Sequence, residues 1–140
     1  MRTNEHEIDN LYELANELGV DEVKLKTAQL YDYKNGHELM PTNQNYSRYK
    51  LNQDNTYSIK NSLDNSCWKM WHSCVWTWDG KVVPCCFDKD ASHQLGDLKQ
   101  NSFDEIWSNS AYKQFRNSIK EGRETIDICQ NCSEGCKVFF

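Results

Sequence analysis

The chain has 140 residues, 38% hydrophobic and 26% charged, with a formal net charge of −5. Those figures allow one domain, or a domain plus a fragment, around a modest core, and no apolar run is long enough for a membrane span. An acidic chain without a basic stripe is not built to bind nucleic acid.

The opening stretch MRTNEHEIDN is polar and acidic, without the basic and apolar segments of a secretory signal, so a cytoplasmic chain with reduced thiols is expected. Residues 4–19 then read as a helix. Ile8, Leu11, Tyr12, Ala15 and Leu18 recur at helical spacing, Asn4 and Glu7 suit the N-terminus, and Gly19 suits the residue after the end. VDEVKLK, residues 20–26, reads as a short strand through Val23 and Leu25. A helix followed at once by a strand suggests half of a βαβ unit, and such a strand needs a neighbour to satisfy its backbone.

Residues 31–66 are polar, rich in Asn, Ser and Tyr, and broken by Gly36 and Pro41. They read as a linker with a short strand near Tyr57–Ile59, longer than an ordinary loop. WTWDGKVVPCC, from Trp76 to Cys86, reads as a hairpin with Asp79-Gly80 as a two-residue turn, both residues at positive φ. Neighbouring strand residues face opposite ways, so Cys85 and Cys86 are not expected to serve one small site. QLGDL, residues 94–98, is a short extended stretch. Ser102 and Glu105 form a capping box for a helix with Phe103, Ile106 and Trp107 on its apolar face. A second helix runs to about Lys120 with Tyr112, Phe115 and Ile119 on one side, and Gly122 stops it. The sequence shows no internal repeat.

The seven cysteines are the chemical signal. An odd number leaves at least one thiol outside any full set of disulfides, and in a reducing compartment metal or redox chemistry is the more usual role. Cys129-Gln-Asn-Cys132 is a C-x-x-C pair, a spacing that lets two thiolates reach one metal or one cluster edge. There is no second pair of the kind a zinc ribbon supplies. Cys67 and Cys85 stand singly instead, with 17 residues between them, and the pair follows a helical spacer. Two single cysteines and one pair suit an iron–sulfur cluster, whose corners are spread apart, better than a zinc ion.

Cys67, twelve residues, Gly80, four residues, then Cys85 resembles the opening of the SPASM/twitch motif of radical SAM proteins. DGKVVPCC resembles that family's hairpin, LGDLKQNSFDEIW its glycine-containing strand and capped helix, YKQFR the following helix, and CQNC the closing pair. The first helix and strand resemble the end of the family's partial (β/α) barrel. The resemblance implies an α+β fold: a twitch hairpin plus helices around a four-cysteine site at residues 67–140. Before it would come a barrel fragment at 1–30 and a polar linker at 31–66.

The resemblance also implies one auxiliary [4Fe–4S] cluster held by Cys67, Cys85, Cys129 and Cys132. Cys85 would face the cluster, and Cys86 would face away into packing. Cys74 would be a small buried hydrophobe. Cys136 is evenly placed between a spare thiol and an alternative ligand, and His72 reads as an ordinary surface residue. The five tryptophans read as core and as a dry wall around the cluster, with Trp76 and Trp78 on one strand face that leaves a Trp face exposed.

The radical SAM signature C-x-x-x-C-x-x-C is absent, and Cys129, Cys132 and Cys136 run in the reverse order. The chain is therefore expected to hold no catalytic residues, to leave cleavage of S-adenosylmethionine to a barrel domain that would be its partner, and to be the C-terminal piece of a longer enzyme. The cluster would relay electrons or shape the substrate site. Two other readings compete: a structural zinc module with the same four cysteines, mediating protein contacts, and a small ferredoxin-like electron carrier.

Overall fold

The computed structural model describes residues 1–134. The chain divides into two compact units, Met1–Lys60 and Asn61–Phe140.

In the first unit, a single 3₁₀ turn over Glu5–Glu7 leads into helix α1, Ile8–Leu18. Gly19 ends it in the left-handed region at φ 66°, where its N–H reaches the carbonyls of Ala15 and Asn16. The Asn4 side chain makes no capping bond. The Glu5 carboxylate instead accepts hydrogen bonds from the backbone N–H and hydroxyl of Thr42. The helical face read from the sequence is present, but Leu11, Tyr12, Leu14 and Leu18 are all exposed.

The strand expected at residues 20–26 does not form. Alternating apolar residues make a strand only when another strand takes up the backbone donors and acceptors, and among the described residues no strand pairs with this segment. The polar stretch that follows holds a short two-stranded ladder. Strand β1 (Tyr49–Leu51) pairs antiparallel with β2 (Tyr57–Ile59), with Tyr49 opposite Ile59. Tyr49 is buried, stacks on Tyr33 at 4.6 Å between ring centres, and exchanges hydrogen bonds with the Leu30 backbone.

In the second unit, β3 (Val75–Trp76), β4 (Lys81–Val83) and β5 (Gly96–Asp97) form an antiparallel sheet in that order. The β3–β4 connection differs from the two-residue turn expected. Thr77 pairs with Lys81 through an N–H···O bond of 2.9 Å, which leaves Trp78, Asp79 and Gly80 as a three-residue loop. Of that loop only Gly80 has a positive φ, 89°. This is a turn closed by a left-handed glycine, the commonest three-residue hairpin solution.

Helix α2, Phe103–Ser108, begins at the expected capping box: the Glu105 N–H donates to Ser102 Oγ, and the Ser102 N–H donates to the Glu105 carboxylate. Ser102→Ala removes one half of this reciprocal pair and is expected to cost about 1 kcal/mol of unfolding free energy, measurable by urea titration. Asn109 then joins two helices. Its Oδ1 accepts from the Tyr112 N–H at 2.8 Å and starts α3, Ser110–Gly122, while its Nδ2 donates to the Leu95 carbonyl.

A 3₁₀ turn, Arg123–Thr125, and a four-residue helix α4, Asp127–Gln130, complete the described unit. The core gathers Met70, Val82, Leu95, Ile106, Tyr112 and Ile119 from sheet, turns and helices. Gly96 allows the sheet to approach α2 closely, since a Cβ there would lie 2.6 Å from Ile106 Cγ2. Among the described residues no helix is long and apolar enough to cross a membrane.

Candidate iron–sulfur site

Cys67, Cys85, Cys129 and Cys132 all line one cavity of the second unit, whose free space including its mouth is about 400 Å³. Three chain segments deliver them. Cys67 stands in extended conformation at the head of the 3₁₀ turn Trp68–Trp71, and its carbonyl accepts the Met70 N–H. Cys85 follows β4 and buried Pro84, in a loop that Asp88 ties together. The buried Asp88 carboxylate accepts from the N–H and hydroxyl of Ser92 and from the N–H of His93. Cys129 lies on α4, and the Cys132 N–H closes back on its carbonyl at 3.0 Å.

The walls between these thiols are apolar: Met70, Pro84, Phe115, Ile119 and Ile128. The mouth carries Lys69, which forms an ion pair with Glu134. Arg123 is fully buried at the same cavity and donates to Cys132 Sγ at 3.3 Å. A second N–H, from the Glu134 backbone, reaches the same sulfur at 3.4 Å.

Burial dominates the acidity of Cys85, Cys129 and Cys132. It pushes Cys85 up to about 12, against some relief from the Phe87 backbone N–H. It pushes Cys129 up to about 11, with Arg123 opposing, and it raises Cys132 as well. A thiol held neutral in the fold but free to ionise when unfolded stabilises the fold below the ordinary thiol value of about 8.5. That stability is lost as pH rises toward the folded-state values, because the unfolded chain releases its protons first. The reduced, chelator-treated chain should therefore show a melting temperature that falls progressively above about pH 8.5. A flat profile from pH 8 to about 11 would contradict the burial of these thiols.

The other candidate residues fall elsewhere in the unit. Cys74 packs against the core as expected and accepts a hydrogen bond from Trp76 Nε1 at 3.1 Å. His72 is exposed, beside Trp68, and does not line the cavity. Cys86 departs from expectation: it is exposed and also borders the cavity. The ladder ends at Val83 and Pro84 begins a turn, so strand alternation no longer governs Cys85 and Cys86. The dry wall of tryptophans is likewise not found. No tryptophan lines the described cavity, while Trp76 and Trp78, 58% and 98% exposed, give the exposed Trp face expected of them. Cys136 lies outside the described residues.

Arg123 and the Lys69–Glu134 pair are not legible in the sequence, because nothing in EGRETIDIC marks its arginine as buried. Among the described residues no three His, Cys, Asp or Glu side chains gather closely enough to enclose a single metal ion. The donor set is nonetheless all sulfur, reached by N–H donors and walled by apolar groups, which is the chemistry that iron–sulfur centres use.

Residues 67–133 match the family model of SPASM, an iron–sulfur cluster-binding domain. The matched span starts at Cys67 and takes in all four candidate cysteines, so the resemblance carried by the cysteine pattern holds for this part of the chain. Over 55 residues the chain is 34% identical to the S-adenosyl-L-methionine-dependent 2-deoxy-scyllo-inosamine dehydrogenase of Niallia circulans, a stretch amounting to 39% of this chain and 22% of that protein. A crystal structure of selenomethionine BtrN in an open conformation aligns at 33% identity with a TM-score of 0.45, covering 49% of this chain and 33% of that one. The chain thus matches 22% and 33% of the length of these two relatives.

Proposed function

We propose that the second unit is an auxiliary cluster module of a radical SAM enzyme, in which Cys67, Cys85, Cys129 and Cys132 hold one [4Fe–4S] cluster. The observation that carries this reading is the convergence of four thiols, from three separated chain segments, on one apolar-walled cavity. The SPASM match over the same residues supports it. When bound, such a cluster supplies one-electron chemistry.

This chain's own residues do the rest. The four thiols lose protons to become ligands; Arg123 favours that loss at Cys129 and Cys132, and burial opposes it there and at Cys85. Met70, Phe115, Ile119 and Ile128 keep water from the inner face. Four sulfur ligands leave no open coordination position, so the module supports electron transfer or the shape of a substrate site. Cleavage of S-adenosylmethionine belongs to a separate barrel domain, to which the helix and extended segment at residues 1–30 are the last part and residues 31–66 the connection.

The test is anaerobic reconstitution with iron and sulfide, followed by metal analysis and a visible spectrum. About four irons and four sulfides per chain, with broad absorption bleached by dithionite, support the cluster. One tightly held zinc, with no stable cluster, overturns it in favour of a structural module.

A further inference from the structure

Arg123 is the most deeply buried charged side chain described in the second unit, with no exposed surface. Taking a guanidinium out of water is costly unless partners compensate it. Its Nη1 donates to the Ser66 carbonyl at 2.7 Å. Its Nη2 donates to the Glu134 carbonyl at 2.7 Å and to Cys132 Sγ at 3.3 Å. Its backbone N–H is fixed by Asn65 Oδ1 at 3.0 Å. Ser66 precedes Cys67 directly, and Glu134 follows Cys132 by two residues, so this one side chain ties together the backbone beside both ends of the ligand set.

A guanidinium buried beside a thiol sulfur is placed to meet negative charge on that sulfur. A set of thiolates supplies such charge, because a cluster bound through four of them carries net negative charge that grows on reduction. The neighbouring cation, Lys69, has Glu134 as its partner at the cavity mouth. Lysine at position 123 could keep the charge but not the fork that reaches two carbonyls and a sulfur together.

We infer that Arg123 is a positioning residue for the metal centre: its guanidinium donates to the Cys132 sulfur, supplies the buried countercharge for the thiolates and raises the reduction potential of the cluster they hold. The inference rests on the cluster reading above. In the redox step, dithionite gives up one electron, the cluster gains it, and no proton need move. Arg123 favours the reduced state because the added negative charge lies beside its own positive charge.

The experiment is a potentiometric titration of the reconstituted full chain, followed by the EPR of the reduced cluster, for the wild type, Arg123→Gln and Arg123→Lys. Arg123→Gln should lower the equilibrium constant for reduction tenfold or more, equivalent to a midpoint at least about 59 mV lower for one electron. Arg123→Lys should recover more than half of that shift. A merely structural arginine would lower cluster content and stability in both variants while leaving the potential of the remaining cluster unmoved, and that result would overturn the inference.

Should both variants fail to fold, the wild type decides the matter by itself. With guanidinium-¹⁵N arginine incorporated, pulsed EPR of the reduced cluster should show a nitrogen coupling that survives replacement of the second unit's other arginine, Arg116→Lys, and its absence overturns the role. A wild-type chain that takes up no iron and sulfide overturns the cluster reading instead, so the two failures are distinguishable.

Discussion

Alanine in place of Cys67, Cys85, Cys129 or Cys132 should strip most of the iron from the reconstituted chain, whereas Cys74→Ala and Cys86→Ala should leave it in place. The difference follows from position. The first four thiols line the cavity. Cys74 is packed against the core under Trp76, and Cys86 borders the cavity from an exposed position. Losing a group that only orients a ligand already weakens a metal site about 10–100-fold, and losing a ligand costs more. Iron and sulfide analysis after desalting under anaerobic conditions reads the outcome. A Cys67→Ala chain with a full iron complement would break the ligand set. A Cys86→Ala chain that lost its iron would mean that the exposed thiol is itself a ligand.

Gly96→Ala is expected to be the most damaging of the small substitutions in the second unit, at about 1–3 kcal/mol from overpacking. A methyl group there would lie 2.6 Å from Ile106 Cγ2 and 2.7 Å from its Cγ1, and Ile106 is buried between sheet and helix with little room to retreat. Ile106→Ala alone should cost about 2–5 kcal/mol by leaving a cavity. Together the two changes should cost clearly less than their sum, since the alanine methyl at 96 fills part of the space vacated at 106. Urea unfolding of the four chains closes this cycle, and strict additivity would show that the contact does not govern the stability of the sheet.

Much of the second unit is legible in the sequence because its signals are local. Ser102 and Glu105 stand three apart and cap α2 as they must. The cysteine pattern and the resemblance it carries single out Cys67, Cys85, Cys129 and Cys132, and all four line one cavity, with Cys86 beside them. In the first unit, Tyr57–Ile59 forms a strand where its composition suggests one. The differences arise where a neighbour decides. Val23 and Leu25 alternate as strand residues do, yet a strand exists only when paired, and residues 20–26 have no such pairing. Strand alternation would turn Cys86 away from the cavity, but the strand stops two residues before Cys85. Large aromatic residues usually seek cover, which places tryptophans near the site on paper, but Trp78 occupies the tip of a hairpin. Arg123 carries no local mark of burial at all.

The spacing of the four thiols also has a consequence for assembly. Cys67 and Cys85 precede α2 and α3, and Cys129 and Cys132 follow them on α4 and just beyond it. Four residues make a helix too short to persist unaided, so α4 is held by what it touches rather than by its own propensity. During synthesis the first two thiols emerge early and wait for the last pair. Whatever bridges them acts as a clasp fastened last, closing nearly the whole second unit into one loop. Because the entropic cost of such a closure rises only with the logarithm of its length, a few residues added to the exposed turn before α2 should leave the clasp able to fasten. Removing the few residues that carry its last two thiols would leave it open.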